Sequence, residues 1–382
     1  MAIATYSSIP KSFVDDVDNL LSEVCEQLQL APYRYDLAVD RYNALNKVLE
    51  SGDSPFRSLG PNIYPQGSMK LGTTVKPLGG EPHDLDLVLQ LSLDHDHVDP
   101  MRLIQKLYGF LEQHGTYGPM TSLKNRCVRI EYADDFYLDL LPACRNSVRG
   151  GTCIKVPDRA LQGWTDSNPL GYAKWFKEKS VLTFVRTVLD SAAPVPPQQA
   201  VSEKSRLQLV VQLSKRWRDL YYSDMDPDLT PISIVLTTLA ADFYRGELSV
   251  SEALMSVLNG IVGAIEASRR AYEKHLRVLN PSNTAEDLSE RWDSNPSAYD
   301  AFVDGVRDFH KRWSELMRRR GNVNAELKSL FGEPVTTVLK KRAMEVKSLN
   351  RDGKLGVTSS GAIALTANAA VRARPNTFYG KE

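Results

Sequence analysis

The chain has 382 residues, 42% hydrophobic and 25% charged, which is a globular balance with room for two or three domains and a full core. Its 47 Lys plus Arg equal its 47 Asp plus Glu, so it lacks the positive surplus of a protein that grips a nucleic-acid backbone and better suits small charged substrates. Four cysteines without a CxxC pair offer neither a disulfide framework nor a zinc ribbon, and with no basic-then-apolar leader and no apolar run of roughly 20 residues the expected setting is cytoplasmic, with no membrane partner.

Apolar positions Phe13, Val14, Val17, Leu20, Leu21, Val24 and Leu28 recur at helical spacing and predict a helix over 10–30. A second helix covers about 32–50 and stops at the breaker Ser51-Gly52-Asp53. Residues 63–67 read as a short strand that enters a Gly/Ser turn, and 85–91 as a strand that alternates acidic and apolar residues before turning apolar. A helix over 103–114 precedes two β-like runs, 126–132 and 136–142, joined by the turn Ala133-Asp134-Asp135; 152–156 adds another strand. Beyond Pro169 the pattern is almost wholly helical, over 171–189, 203–222, 231–245, 250–275, 296–320, 323–331 and 335–349. The Pro/Gln/Ala-rich stretch 192–200 is the expected linker. These elements predict an α+β chain: a catalytic core over 1–190 with N-terminal helices, a helical lobe over 200–350 and a flexible tail over 351–382.

Asp84 and Asp86 are two apart in a strand, so both carboxylates leave the same face while Leu85, Leu87 and Leu89 face a core. Carboxylates fixed side by side repel unless a cation sits between them, and magnesium prefers such hard oxygen ligands. Asp139 stands alone in an otherwise apolar run, where an unpaired carboxylate is costly; it is either a third ligand from a neighbouring strand or a strand-edge residue facing water. Gly67-Ser68, followed by Gly72-Thr73, supplies backbone N–H groups and hydroxyls for a phosphate. Phosphate cradle, Asp-x-Asp and a later strand Asp, in that order, form the set that two-metal nucleotidyl transfer requires.

Those residues resemble the polymerase-β-type nucleotidyltransferases and, more narrowly, the cGAS/DncV-like nucleotidyltransferases of bacterial anti-phage defence. Lys215-Arg216-Trp217-Arg218-Asp219 is similar to that family's helix with a triphosphate-contacting lysine, and Pro231-Ile232-Ser233 to the start of the next helix, whose serine also reaches the phosphates. Leu279-Asn280-Pro281 and Glu290-Arg291-Trp292 resemble elements of its helical lobe, so the likeness spans about 60–320. It implies a polymerase-β-like sheet core packed against a C-terminal helical lobe with a cleft between them. Asp84, Asp86 and Asp139 would be the catalytic acids on two Mg2+ ions, with Mn2+ as a substitute. Gly67, Ser68, Thr73, Lys215 and Ser233 would bind nucleotide. The implied activity is synthesis of a cyclic purine oligonucleotide, such as cyclic GMP-AMP, from ATP and GTP, acting through a cyclic-nucleotide-responsive effector protein.

The sequence departs from the family at two places. Fifteen residues separate Ser68 from Asp84, so 78–82 reads as an inserted loop, and Ile234 stands where relatives often carry a base-stacking aromatic, leaving Tyr64 or Tyr222 for that role. The tail that ends Thr377-Phe378-Tyr379-Gly380-Lys381-Glu382 is either an unstructured end or a handle for a regulatory or conjugating partner. Two other functions compete: nucleotidyl transfer to an RNA, protein or small-molecule acceptor, and a non-catalytic nucleotide-binding scaffold.

Overall fold

The computed structural model describes residues 9–133, 136–181, 195–357, 363–365 and 371–372. Helices α1 (Lys11–Leu28) and α2 (Pro32–Leu49) precede β1 (Asn62–Pro65), the single turn α3 (Gly67–Leu71) and the long strand β2 (His83–Asp94). After α4 (Pro100–Glu112) come β3 (Thr121–Leu123), β4 (Val128–Tyr132), β5 (Phe136–Arg145), β6 (Ile154–Asp158) and β7 (Gly163–Ser167). Helices α5 (Pro169–Ser180), α6 (Arg206–Tyr221), α7 (Ser233–Phe243) and α8 (Val250–Arg270) follow. A hairpin of β8 (Leu279–Asn280) and β9 (Asn283–Asp287) then leads to α9 (Arg291–Ser294), α10 (Pro296–Met317), α11 (Val323–Phe331) and α12 (Glu333–Arg351). Within the stretch read as a tail, β10 (Leu355–Val357), β11 (Ile363–Leu365) and β12 (Val371–Arg372) form a small antiparallel sheet. Residues 377–382, and with them the aromatic end of the tail, lie outside the described residues.

Strand β2 organises the main sheet. It runs antiparallel to β1 and parallel to β5, with β4 and then β3 beyond β5. The parallel step requires a crossover, and α4 lies within it. Leu85, Leu87, Leu89 and Leu91 are buried in one core with Tyr42 and Leu45 of α2 and Leu103 and Leu107 of α4. With that face committed, period-2 geometry sends Asp84 and Asp86 out of the opposite one.

A second core gathers α5–α8 and α10–α12, and α1 joins it through Val17, Leu21, Val24 and Leu28, although the sequence places α1 far upstream of the linker. Helix α8 has the length and apolar composition of a membrane span, which the sequence reading did not anticipate; half of it is buried inside this core. In the linker stretch, Val195 packs into the sheet core and Gln198 Nε2 donates to the Leu30 carbonyl at 3.2 Å, while Gln29 Nε2 donates to the Gln199 carbonyl at 3.0 Å, so the stretch lies against the junction of α1 and α2. Strand β7 and the β8–β9 hairpin escaped sequence reading because Gly-Trp-Thr-Asp-Ser and Asn-Thr-Ala-Glu-Asp carry no apolar alternation.

The two cores meet along a polar seam. On α6, Gln208 Nε2 donates to the Leu71 carbonyl at 2.9 Å, Gln212 Nε2 to Thr74 at 2.7 Å and Lys215 Nζ to Thr73 at 3.2 Å, while Arg216 reaches the Lys76 carbonyl. These positions recur at helical spacing, so one face of α6 satisfies backbone carbonyls that follow α3. Replacing Gln212, which has no exposed surface, with Ala orphans the Thr74 carbonyl. The expected loss is about 1–3 kcal/mol, read as a drop of roughly 1–4 °C in a thermal melt.

Candidate active site

Strand register assembles the acidic cluster. Parallel pairing sets Asp86 beside Asp139 and Asp84 beside Tyr137, and antiparallel pairing of β4 with β5 sets Arg129 on the other flank of Asp139. Paired residues share a face, and neighbouring strands lie only about 4.8 Å apart. The acids separated by more than fifty residues in sequence therefore converge. Arg129 Nε and Nη2 donate to Asp139 Oδ1 and Oδ2, each at 2.7 Å, and Nη2 also reaches Asp84 Oδ1 at 3.2 Å. The guanidinium sits 4.6 Å from the centre of the Tyr137 ring. Sequence reading missed Arg129, because a single arginine in an alternating strand has no meaning until its cross-strand partner is known.

Gly67 explains the tight bend beneath the acids. Its φ is +59°, and a Cβ added there would lie 2.5 Å from Asp86 Oδ2, so any other residue meets both backbone strain and the carboxylate. The turn α3 has five residues, too few for a substantial macrodipole, so Ser68 offers a hydroxyl and local N–H groups rather than a helix field. Thr73 is fully buried; its N–H donates to the Ser68 carbonyl and its own carbonyl accepts from Lys215. It does not line the cavity, and Thr74, whose hydroxyl lies 3.4 Å from that of Ser68, does.

The cavity, of about 580 Å³, opens between the sheet and α6–α7 and brings together Ser68, Asp84, Asp86, Lys215, Arg218 and Ser233. Ser233 is the first residue of α7, with Ile232 in the capping position, and its hydroxyl accepts from Arg218. Leu78 and Pro82, from the segment read as an insertion, form part of the wall. A second cavity of about 480 Å³, with Lys70, Arg126, Asn280 and Arg291 in its lining, shares Gly67, Leu71, Asp86 and Ile234 with the first. Of the two tyrosines expected to meet a base, Tyr64 is fully buried, donates to Gln90 Oε1 at 3.0 Å and packs with Val88 and Ile154, which removes it from that role. Tyr222 does line the first cavity.

Burial, reinforced by Asp139 and Asp84, pushes the Asp86 carboxyl up to about 7. The Asp84 carboxyl, although its side chain is 58% exposed, is also raised by partial loss of hydration, against the pull of Arg129. Burial, with Arg218 next in weight, brings the Lys215 ammonium down to about 8. Among the described residues, no three His, Cys, Asp or Glu side chains already close around one point as a cation cage. The donor chemistry nonetheless fits a divalent ion: all three groups are hard oxygen donors, and a dication would offset both the burial and the like-charge repulsion that raise the Asp86 carboxyl.

This shift has a definite sign for stability. Between the unfolded carboxyl value of 3.8 and the folded value of about 7, the native chain holds a proton that the unfolded chain has released, so this group's contribution falls as pH rises through that window. In chelator, Asp86→Asn should raise the melting temperature at pH 8 by roughly 2–4 °C and by less than half as much near pH 5. An equal shift at both pH values would show that Asp86 is not the titrating group.

A family model described as the Second Messenger Oligonucleotide or Dinucleotide Synthetase domain matches residues 16–180. A c-di-GMP synthase of Roseivirga ehrenbergii is 32% identical over 374 residues, covering 95% of this chain and 97% of that protein. The cyclic dinucleotide synthase CdnG of Bradyrhizobium diazoefficiens is 27% identical, covering 97% and 96%. The solved structure of the Bradyrhizobium CD-NTase CdnG in complex with GTP superposes with a TM-score of 0.70 at 23% identity, covering 86% of this chain and 99% of that one, and so shares the fold. Likeness over nearly the whole length places the two-lobed architecture and its acidic cleft in a known group: the chain belongs to the cGAS/DncV-like nucleotidyltransferases.

Proposed function

We propose that the chain joins two purine ribonucleotides into a cyclic dinucleotide, using GTP at both positions to make cyclic di-GMP. The observation that carries this reading is the pair of cavities meeting at Asp86, with Asp139 in register beside it: one acidic floor serves two nucleotide-sized spaces. The relative named a c-di-GMP synthase favours guanine at both positions over the mixed GMP-AMP product implied by the family resemblance.

Asp84, Asp86 and Asp139 hold the divalent cations, Mg2+ or Mn2+, in this reading. Bound there, a pair of ions would lower the pKa of an attacking ribose hydroxyl and neutralise the departing pyrophosphate. Lys215, Arg218, Ser68 and Ser233 surround the first cavity with the charge and hydroxyl donors that a triphosphate requires. A Lys215 ammonium with its pKa brought down to about 8 by burial gains from an anion beside it, which restores its charged form. The product would act on a separate effector protein, and a conjugating partner would act on the tail.

The test is product analysis. Full-length protein with Mg2+ and labelled GTP, alone and with ATP, should yield a phosphatase-resistant small product with the mass of cyclic di-GMP. Label appearing on a macromolecule instead, or only in linear products, overturns the proposal. Asp84→Ala combined with Asp86→Ala should abolish synthesis with the fold retained, and persistent product in that variant would contradict the assignment. Lys215→Ala should raise KM for GTP by about tenfold or more with a smaller change in kcat, since it removes binding common to ground and transition states. An unchanged KM would count against a phosphate role for Lys215.

A further inference from the structure

Arg129 already contacts three of the six carboxylate oxygens in the proposed cation cluster. Both oxygens of Asp139 accept from its guanidinium at 2.7 Å, and Asp84 Oδ1 accepts at 3.2 Å. The two ends of this bridge differ. The Asp139 side chain is 13% exposed and bound in a bidentate fork, whereas the Asp84 side chain is 58% exposed and holds one longer contact. Bidentate, shielded pairs are the strong kind, and exposed single contacts are worth little. Tyr137 adds a ring face against the guanidinium at 4.6 Å, which restrains Arg129 in place. Asp86, half-buried on β2 where the two cavities meet, makes no hydrogen bond to Arg129 and is left with a carboxyl pushed up by burial and by its acidic neighbours.

We propose that Arg129 is a positioning residue that stays on Asp139, fixing the plane of that carboxylate, and competes with a divalent cation for Asp84. It thereby sets how tightly the cluster takes up metal. A dication that takes Asp84 Oδ1 displaces the Nη2 contact, and one that takes either oxygen sits close to a fixed positive charge; both effects weaken its binding. Arg129 thus stabilises the carboxylate arrangement and, at the same time, keeps the cluster's affinity for free cation low. The inference rests on reading Asp84, Asp86 and Asp139 as cation ligands, so its test needs a readout that separates the two.

That readout is Mn2+ binding to the full chain without nucleotide, followed by the paramagnetic signal of free Mn2+, alongside steady-state synthesis. Arg129→Gln should bind Mn2+ roughly three- to tenfold more tightly, as loss of one contact and one charge implies. Its kcat at saturating Mg2+ should nonetheless fall about tenfold or more, because Asp139 loses its fork. Arg129→Lys keeps the charge but can take only one oxygen at a time, so its affinity should fall between the two; should Arg129→Gln not fold, the lysine variant carries the measurement. Unchanged or weaker Mn2+ binding in a folded Arg129→Gln overturns the proposal, and so does a lysine variant that matches wild type, since long-range repulsion would then account for everything. Asp86→Asn separates this failure from failure of the metal reading. If that variant and Asp139→Asn bind Mn2+ like wild type, the cation assignment itself is wrong; if they lose it while Arg129→Gln gains nothing, only the role of Arg129 is wrong.

Discussion

The parallel pairing of β2 with β5 is the constraint from which the site follows. Its register sets Asp86 against Asp139, and a shift of one residue would turn one acid into the leucine-rich core and bring an apolar neighbour to the cleft. Four buried leucines on β2 hold that register, because each would have to leave the core for the strand to slip. The hydrophobic core beneath the sheet thus fixes the position of the charged groups above it. The cost is concentrated at Asp86, whose carboxyl is pushed up by burial and by two like charges.

Around this floor the chain adds parts from distant segments. Gly67 allows the first bend to pass within contact of Asp86, α6 delivers Lys215 and Arg218, and α7 begins with Ser233. Arg129 closes the other flank from β4. Basic and acidic groups together line a cavity of about 580 Å³, an arrangement that the proposed magnesium-bound triphosphate would satisfy.

Much of this was legible in the sequence where a physical rule acts locally. The period-2 spacing of Asp84 and Asp86 against Leu85, Leu87 and Leu89 gave both the strand and its two faces, and the helical periodicity of Phe13–Leu28 positions gave α1. What was not legible depends on partners far along the chain. Arg129 acquires meaning only from the β4–β5 register, and Gln208 and Gln212 only from the carbonyls they meet. Thr73 was assigned to nucleotide because it follows Gly72, yet its neighbour Thr74 faces the cavity, a one-residue difference that the turn's backbone decides. Tyr64 looked available as an aromatic near the bend, but alternation on β1 turns it into a small core with Val88. The same neutrality of overall charge that argued against a nucleic-acid grip says nothing of how charge is distributed, which here gathers acids and bases around one cleft.

The seam on α6 makes its contacts with main-chain oxygens at positions 71, 73, 74 and 76 rather than with the side chains there. Every residue type presents the same carbonyl, so substitutions in that loop leave the docking surface intact provided the backbone path is kept, except at Gly72, where an added Cβ would lie 2.5 Å from Gln208 Nε2. The helix has no such freedom: its glutamine, lysine and arginine must keep both identity and spacing. Evolutionary drift is therefore permitted on one side of the joint and barred on the other, and variation in loop side chains can reshape the cavity wall without loosening the two lobes.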